Sequence, residues 1–359
     1  TVVKPVVTGG LINIAANAMA ARLTASQRAY VENITLNATS VSVKSELNLN
    51  KSKSANATLG SNGGNKDASL SGASAKANVA IAVANAACKA EVISANLALT
   101  GALTVKVEGD SYANAVVDSD DVSVSAFGIG VNALYAYAKG GFNATVSGNI
   151  TASSITIDST YKVNANAVSA QPGYGASLSG ASINTNIAYA ETNASATAGI
   201  NGAGKISLTG ALKVTAKGTV KAKANIEGAE VRASVVDIAI NKVTAIVGGT
   251  QKALVQGATI SASGVTVTSN FNTDSSTSNY DATATVGSNS GANVSFISGD
   301  TSTAKATVTA VVSAEIDGAV LDTVRDNVPG AVEVTTNAKS FAVARINVPT
   351  KVSLANVSV

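Results

Sequence analysis

Short segments in which apolar and polar residues alternate recur along the whole chain. They read SVSV at 40–43, LTVKV at 103–107, ITI at 155–157, LKV at 212–214, VTV at 265–267 and VEV at 332–334. Alternation with period two, in residues rich in Val, Ile and Thr, is typical of β-strands with one buried face. The pattern therefore predicts strands throughout, and no segment has the apolar spacing of an amphipathic helix.

The spacing of these segments indicates a repeat. Counted from Val41, Leu103, Ile155, Leu212, Val265 and Val332, the successive steps in residue number are 62, 52, 57, 53 and 67. The segment SLSGAS begins at Ser69 and returns at Ser177, two steps later. Self-similarity at a step of about 50–60 residues predicts an array of repeats. The approximate units are residues 8–55, 56–111, 112–160, 161–219, 220–273 and 274–340, with a partial unit at 341–359.

The two longest steps contain insertions, GSNGGNKD at 60–67 and LDTVRDNVPG at 321–330. Both segments are rich in residues that favour turns. We expect them to lie at the edge of a repeat and to leave the pairing of the strands intact.

Each unit contains two β-like runs of about fifteen residues, which are roughly 50 Å long when extended. One run is rich in Ala and Val, and such small side chains fill only the thin space between two sheets about 10 Å apart. We therefore predict an all-β fold, a parallel β-solenoid or β-helix of flattened coils, with one coil per repeat. Two coils per repeat are the alternative. An array of immunoglobulin-like domains is disfavoured, because each would need about 100 residues and a larger core.

Two sets of residues are expected to stack from coil to coil. Asn recurs in the Ala/Val run, and stacked amides satisfy one another in a dry interior. The predicted ladder is Asn17, Asn85, Asn132, Asn193 and Asn241, although the abundance of Asn would also explain this recurrence. The predicted apolar stack on the inward face is Val105, Ile157, Val214 and Val267.

The composition argues against several functions. His is absent, which removes the commonest catalytic base and metal ligand. Charged residues are 13% of the chain and the net charge is +3, without the basic clusters and stacking aromatics of nucleic-acid binding. No apolar run is long enough to span a bilayer. The single cysteine, Cys88, allows no intrachain disulfide and is interpreted as a small buried apolar residue.

The sequence contains no constellation that indicates an active site or a cofactor. The segment DSDD at 118–121 is a weak candidate for calcium through Asp118, Asp120 and Asp121. It lacks the regular spacing of calcium loops, so a polar turn is the favoured interpretation.

The unit SLSGAS…NVAIAVANA…KAEV…LALTGALTVKVEG resembles the repeats of large secreted bacterial adhesins. The nearest resemblance is to the leukotoxin-type filamentous adhesin family, and it covers about residues 9–338. It implies a secreted or surface-anchored solenoid, exported by a dedicated outer-membrane route. The family offers no catalytic residues to carry over.

We therefore expect an extracellular structural or adhesive filament or stalk of a bacterial surface, without catalysis. Its expected partners are copies of itself, joined head to tail, and glycans of a host or a neighbouring cell. Alternatives are a secreted carbohydrate-active β-helix enzyme, a plain glycan-binding module, or a segment cut from one giant polypeptide.

Overall fold

The computed structural model describes residues 8–49, 54–60, 66–118, 120–170, 175–228, 230–273, 281–288, 292–325, 328–347 and 350–358. All elements within these residues are β-strands. They are β1 Thr8–Glu32, β2 Thr35–Ala38, β3 Val41–Leu47, β4 Ala55–Gly60, β5 Lys66–Leu99, β6 Ala102–Asp118, β7 Asp120–Ala152, β8 Ser154–Ala170, β9 Gly175–Asn201, β10 Lys205–Leu208, β11 Ala211–Gly228, β12 Glu230–Gln256, β13 Thr259–Ser261, β14 Gly264–Phe271, β15 Ala282–Ser288, β16 Ala292–Asp317, β17 Val320–Asp322, β18 Val324–Arg325, β19 Val328–Pro329, β20 Val332–Ala338, β21 Ala342–Ile346 and β22 Thr350–Ser358.

The strands form two large sheets, and the chain alternates between them. The first, called here the long sheet, contains β1, β5, β7, β9, β12, β16 and β22 in this order, with the shorter β2, β10, β13 and β17. The second, the short sheet, contains β3, β4, β6, β8, β11, β14, β15, β20 and β21. Pairing within both sheets is parallel. The protein is therefore a parallel β-solenoid, which confirms the predicted fold class.

One repeat makes one coil. Val41 pairs with Leu103, and Leu103 pairs with Ile155. The remaining alternating segments continue the same register, Ile155 with Leu212, Leu212 with Val265, and Val265 with Val332. Because each segment pairs with the one exactly one step away, the alternative of two coils per repeat is wrong.

The first insertion is divided between two places. Paired positions of β3 and β6 differ by 62 in residue number, and those of β4 and β6 differ by 58. The pairs of β5 with β7 begin with a difference of 54. Four extra residues therefore lie between β3 and β4, and four between β4 and β5. The predicted insertion at 60–67 accounts for the second part alone, and residues 61–65 are outside those described.

The second insertion is a hairpin at the edge of a coil. Paired positions of β13 and β17 differ by 61 in residue number, as do those of the preceding strands β12 and β16, while those of β14 and β20 differ by 67. Six extra residues therefore lie between Asp322 and Val332, where β18 and β19 form an antiparallel pair. Leu321 and Asp322 belong to the ladder itself, so the insertion begins after the predicted Leu321.

The space between the sheets is filled by small side chains on the long sheet and larger ones on the short sheet. Alternate residues of β5 from Ala80 to Ala90 are Ala or Cys and are fully buried. Leu103, Val105 and Val107 of β6 are fully buried as well. Pairing small with larger side chains keeps the layers close together and fills the interior without voids.

Each strand of the long sheet bends at one position, called here the bend. The residues at the bend have no partner in the ladder although their neighbours do, and they are Leu11, Gly72, Ala126, Gly180, Val235, Phe296 and Leu354. Ser125 pairs in the ladder with Ser71, but its Oγ lies 3.4 Å from that of Ser74, three positions further along β5 and beyond the bend. Ser298 Oγ and Ser353 Oγ are also 3.4 Å apart. The bend therefore forms a corner that recurs in every coil.

Candidate functional site

A ladder of asparagine amides runs along the axis of the solenoid, on the inward face of the long sheet. The Nδ2 of each residue donates to the Oδ1 of the next at 2.9–3.1 Å, in the order Asn17, Asn78, Asn132, Asn186 and Asn241. Asn241 Nδ2 then lies 3.4 Å from Ser302 Oγ. Since all these bonds point the same way, the ladder has a polarity. It begins with the carbonyl oxygen of Asn17 and ends with the hydroxyl of Ser302.

The predicted ladder contains two wrong residues. Asn17, Asn132 and Asn241 belong to it, but Asn85 and Asn193 both pair with Lys139 and are exposed on the outer face. Their places are taken by asparagines seven positions earlier in the same strands. An odd displacement along a strand moves a side chain to the opposite face of the sheet, which is the physical reason for the error.

The step between coils distinguishes the correct set. The residue number of the observed ladder advances by 61, 54, 54 and 55. That of the predicted set advances by 68, 47, 61 and 48, which does not match the steps of the alternating segments. An equal-step criterion applied to the sequence selects Asn78 and Asn186.

The predicted apolar stack lies in one column of the short sheet. Val105 pairs with Ile157, Ile157 with Val214, and Val214 with Val267. All four side chains have no exposed surface. Val43 and Val334 extend the column in the two outer coils.

A buried polar and aromatic cluster escaped the sequence reasoning. The rings of Phe142 and Tyr161 stack with their centroids 5.0 Å apart. The Tyr161 hydroxyl donates to Gln251 Oε1 at 3.0 Å, and Gln251 Nε2 donates to Ser269 Oγ at 2.9 Å and to the Ala216 carbonyl at 3.1 Å. Burial raises the pKa of Tyr161, so the hydroxyl stays protonated and remains a donor. The cluster joins the two sheets across the interior.

Cys88 lies within this interior and has no exposed surface. Its Sγ is 3.0 Å from Ser45 Oγ. Burial is the main cause that raises the pKa of the thiol, which disfavours the reactive thiolate. The position fits the interpretation of Cys88 as a packing residue.

The candidate calcium residues lie at the corner between β6 and β7. Asp118 ends β6, and Asp120 and Asp121 begin β7. Their side chains are outside what the structure describes, so their geometry gives no ligand set. Within the described part of the chain, no group of three Cys, Asp or Glu residues could hold a metal ion.

A cluster of three tyrosines lies on the outer face of the long sheet. The ring centroids of Tyr135 and Tyr137 are 6.4 Å apart, and that of Tyr189 lies 6.3 Å from the first and 5.4 Å from the second. The Tyr189 hydroxyl donates to Glu191 Oε2 at 2.6 Å. All three rings are partly exposed. Burial, and after it the carboxylate of Glu191, raises the pKa of Tyr189.

Both ends of the described coil stack expose a cross-section of the apolar interior. At one end the partly buried side chains belong to β1, β2 and β3, and include Met19, Leu23 and Val31. At the other end they belong to β16 and β17, and include Val308, Val312 and Ile316. Among the described residues, β1 and the part of β16 after Asp300 have a ladder partner on one side only, and such edges favour pairing with another strand.

The fold and these features define a structural class, the parallel β-solenoid with an interior that continues from end to end. No family model, no curated protein and no solved structure matches this chain. The residues described here include no helix long and apolar enough to cross a membrane.

Proposed function

We propose that this protein is a non-catalytic structural subunit of an extracellular bacterial filament or stalk, in which copies join head to tail. The observation that carries the proposal is the polarity of the asparagine ladder at the two open ends. A hydroxyl that accepts a hydrogen bond can also donate one. Ser302 of one copy can therefore donate to the Oδ1 of Asn17 in the next copy, which continues the ladder in the same direction.

The apolar side chains of the two ends also match in register. When Asn17 follows Ser302, residues 17–32 of the incoming copy lie over residues 302–317. The inward side chains that then meet are Met19 with Ala304, Leu23 with Val308 and Val31 with Ile316. Contact of this kind removes two apolar cross-sections from water and pairs two open edges. A head-to-tail contact that does not close produces a filament.

One part of the junction requires an exchange of strands. β22 occupies the place beside residues 292–300 of β16. In the register above, residues 8–15 of the incoming copy would take the same place. The two segments share the pattern Leu-x-Asn-Ile/Val, with Leu11 and Asn13 in one and Leu354 and Asn356 in the other. One of the two must therefore leave the sheet when the copies join.

The location and the biological role are part of the same proposal. The repeats resemble those of the leukotoxin-type filamentous adhesins, which supports an extracellular place on a bacterial surface. A continuous ladder of backbone hydrogen bonds parallel to the filament axis would resist extension and proteolysis. Such a filament would serve adhesion or the matrix of a biofilm.

Electron microscopy of Leu23→Glu and Thr24→Glu variants tests the head-to-tail contact. Leu23 points toward the interior at the open end, whereas Thr24 is exposed on the outer face of the same strand. We expect fibres from Thr24→Glu and none from Leu23→Glu, with the same circular dichroism for both. Fibres from both variants would overturn the proposal, as would release of sugars from uronate polymers by the purified protein.

Denaturing electrophoresis of boiled native fibres distinguishes assembly from a single giant chain. Separate copies give a band at the mass of one chain, 35.3 kDa. A band several times heavier would mean that covalent continuity, not head-to-tail pairing, connects the coils.

Glycan binding is a second candidate function, favoured by the tyrosine cluster. Partly exposed aromatic rings offer an apolar face with polar tips, which suits a sugar ring. Glu191 and the neighbouring exposed Lys139 and Asn193 supply hydrogen-bonding groups beside the rings. A glycan array that compares the wild-type protein with the Tyr137→Ala variant tests this function. Equal binding by the two proteins would exclude the tyrosine cluster as the glycan-binding site.

A further inference from the structure

The outer surface around the bend is an apolar ridge that the proposed function does not use. Most of the large exposed apolar side chains lie on it, among them Leu11, Ile12, Ile14, Leu70, Val124, Phe127, Ile129, Leu178, Val235, Ile238, Val294, Phe296 and Ile297. In the four inner coils the outward positions beside the bend carry Ala, Val, Leu, Ile, Phe or Gly and no charge. Extended apolar surface without charge is the mark of an interface core.

The ridge has a hollow at one end and protruding side chains at the other. The hollow has a volume of about 450 Å³ and is lined by Leu178, Ala233, Val235, Val294 and Phe296, with the serines between them. At the opposite end, Leu11 is 87% exposed and Leu70 is 68% exposed. These are the side chains that an apolar hollow would accept.

In the five strands between β1 and β22, the residues at the bend also change in size along the axis. They run from Gly72 and Ala126, through Gly180, to Val235 and Phe296. Consider a two-fold axis that runs parallel to the middle strand, β9. It relates the end with small bend residues in one copy to the end with large bend residues in the other. It places Phe296 against Gly72 and Val235 against Ala126, and it brings Leu70 of each copy to the hollow beside Val294 and Phe296 of the other.

We propose that two copies of this chain associate side by side through this ridge, with antiparallel solenoid axes. The contact is isologous, so the hollow of each copy receives the protruding Leu11 and Leu70 of the other, and the same contact is made twice. Six coils spaced about 4.8 Å apart, across a width of roughly seven residues, give roughly 600 Å² on each copy. The total of about 1,200 Å² is the lower bound for a stable specific interface. The dimer uses the side of the solenoid, but Leu11 and Ser353 belong to the two segments that compete at the proposed junction, so the dimer is tested on the unassembled protein.

Disulfide crosslinking under oxidising conditions tests the geometry. Single cysteines are placed by Ala126→Cys, Val235→Cys and Leu178→Cys, while Cys88 is fully buried and does not interfere. Val311→Cys is the matched control, since Val311 is 61% exposed but lies away from the ridge. The products are separated by electrophoresis in detergent without reductant. The detergent dissociates non-covalent head-to-tail contacts, so only covalently linked pairs appear as dimers.

The expected result is a dimer band, at twice the 35.3 kDa mass of one chain, from Leu178→Cys alone and from a mixture of Ala126→Cys with Val235→Cys. Neither Ala126→Cys nor Val235→Cys alone should crosslink, because the two-fold axis keeps like residues apart at these positions. A dimer from Val235→Cys alone would mean parallel axes and would overturn the proposal. So would crosslinking of Val311→Cys to the same extent, or the absence of any dimer.

A charge-reversal pair keeps the test independent of cysteine chemistry. Val235→Lys and Ala126→Asp should each lower the dimer fraction in sedimentation at least tenfold, and an equimolar mixture should restore it. Failure of the mixture to restore the dimer, with both variants folded by circular dichroism, counts against the pairing. Flotation of the wild-type monomer with phosphatidylcholine vesicles would assign the ridge to lipid and would also refute it.

Discussion

At the scale of the residue, the neighbours in the coils above and below determine which side chain fits at each interior position. Asn is stable inside the solenoid because the next Asn along the axis supplies its hydrogen-bonding partner. Gly218 lies beside the ring of Tyr161, where a larger residue would meet that ring. The stacking column, more than the local sequence, therefore decides what a position tolerates.

Replacing one amide in the middle of the ladder should cost stability. Asn132→Ala removes the bonds to both Asn78 and Asn186, so that Asn78 Nδ2 loses its acceptor in the ladder and Asn186 Oδ1 loses its donor. At about 1 kcal/mol for each hydrogen bond, we expect a loss of about 2 kcal/mol, measured by urea denaturation. Asn193→Ala, on the exposed outer face, is the control and should change stability by less than about 0.5 kcal/mol. Equal losses from both variants would contradict the assignment.

A methyl group at Gly218 should also destabilise the core. A Cβ there would lie 2.3 Å from Tyr161 Cζ and 2.4 Å from Gln251 Oε1, so the buried cluster must shift. We expect Gly218→Ala to lower the free energy of unfolding by about 1–3 kcal/mol, as overpacking does. Gly141→Ala is the matched control, because nothing lies within 4 Å of its added methyl group. A stable Gly218→Ala protein would show that the cluster is loosely packed.

At the scale of the element, strand register matters more than strand propensity. Insertions are accommodated between strands, and the pairs on either side keep their columns. The second insertion even forms its own hairpin without disturbing β17 or β20. The short contact of β22 with β16 is the element whose exchange the proposed junction requires.

Weakening β22 should therefore speed the growth of fibres. Consecutive amides of a strand point to opposite sides, so the double substitution Ser353→Pro with Leu354→Pro removes at least one bond to β16. We expect seeded elongation, followed by light scattering, to become several-fold faster. Ser353→Thr with Leu354→Val, which keeps the strand, should leave the rate unchanged. Slower elongation by the proline variant would show that β22 is part of the junction.

At the scale of the whole molecule, the solenoid is a one-dimensional stack in which each coil contacts its two neighbours. Stability in such a stack is the sum of coil and interface contributions. The inner coils have a neighbour on both sides, whereas β1 at one end and β16 at the other expose part of their interior side chains.

Amide hydrogen exchange should reveal this gradient. In the unassembled protein, we expect the slowest exchange in β7, β8 and β9 and faster exchange toward β1 and β22, because the end coils open first. Assembly into fibres should slow exchange in β1 and β16 more than in β8. Uniform exchange throughout the unassembled chain would mean that the coils open together as a single unit.

The sequence by itself determined the strands, the step of the coil and the apolar column through Val105 and Val214. These follow from alternation along a strand and from recurrence at a fixed distance, both of which are readable in one dimension. The positions of the two longest steps were also visible, although both excesses proved to be divided: seven extra residues of the second lie between β14 and β15, and six lie in the hairpin.

The tertiary structure alone decided where the strands bend and which residues fill the interior together, and it corrected two members of the asparagine ladder. Which face a side chain occupies depends on its position along the strand. Asn85 and Asn193 lie seven positions after the ladder asparagines of their strands and are therefore outside, although they were predicted to be inside. Tyr161 and Gln251 are 90 residues apart in the chain, and no local pattern connects them. Their contact exists because stacking brings opposite sheets of different coils together, and the charge-free ridge is likewise assembled from separate strands.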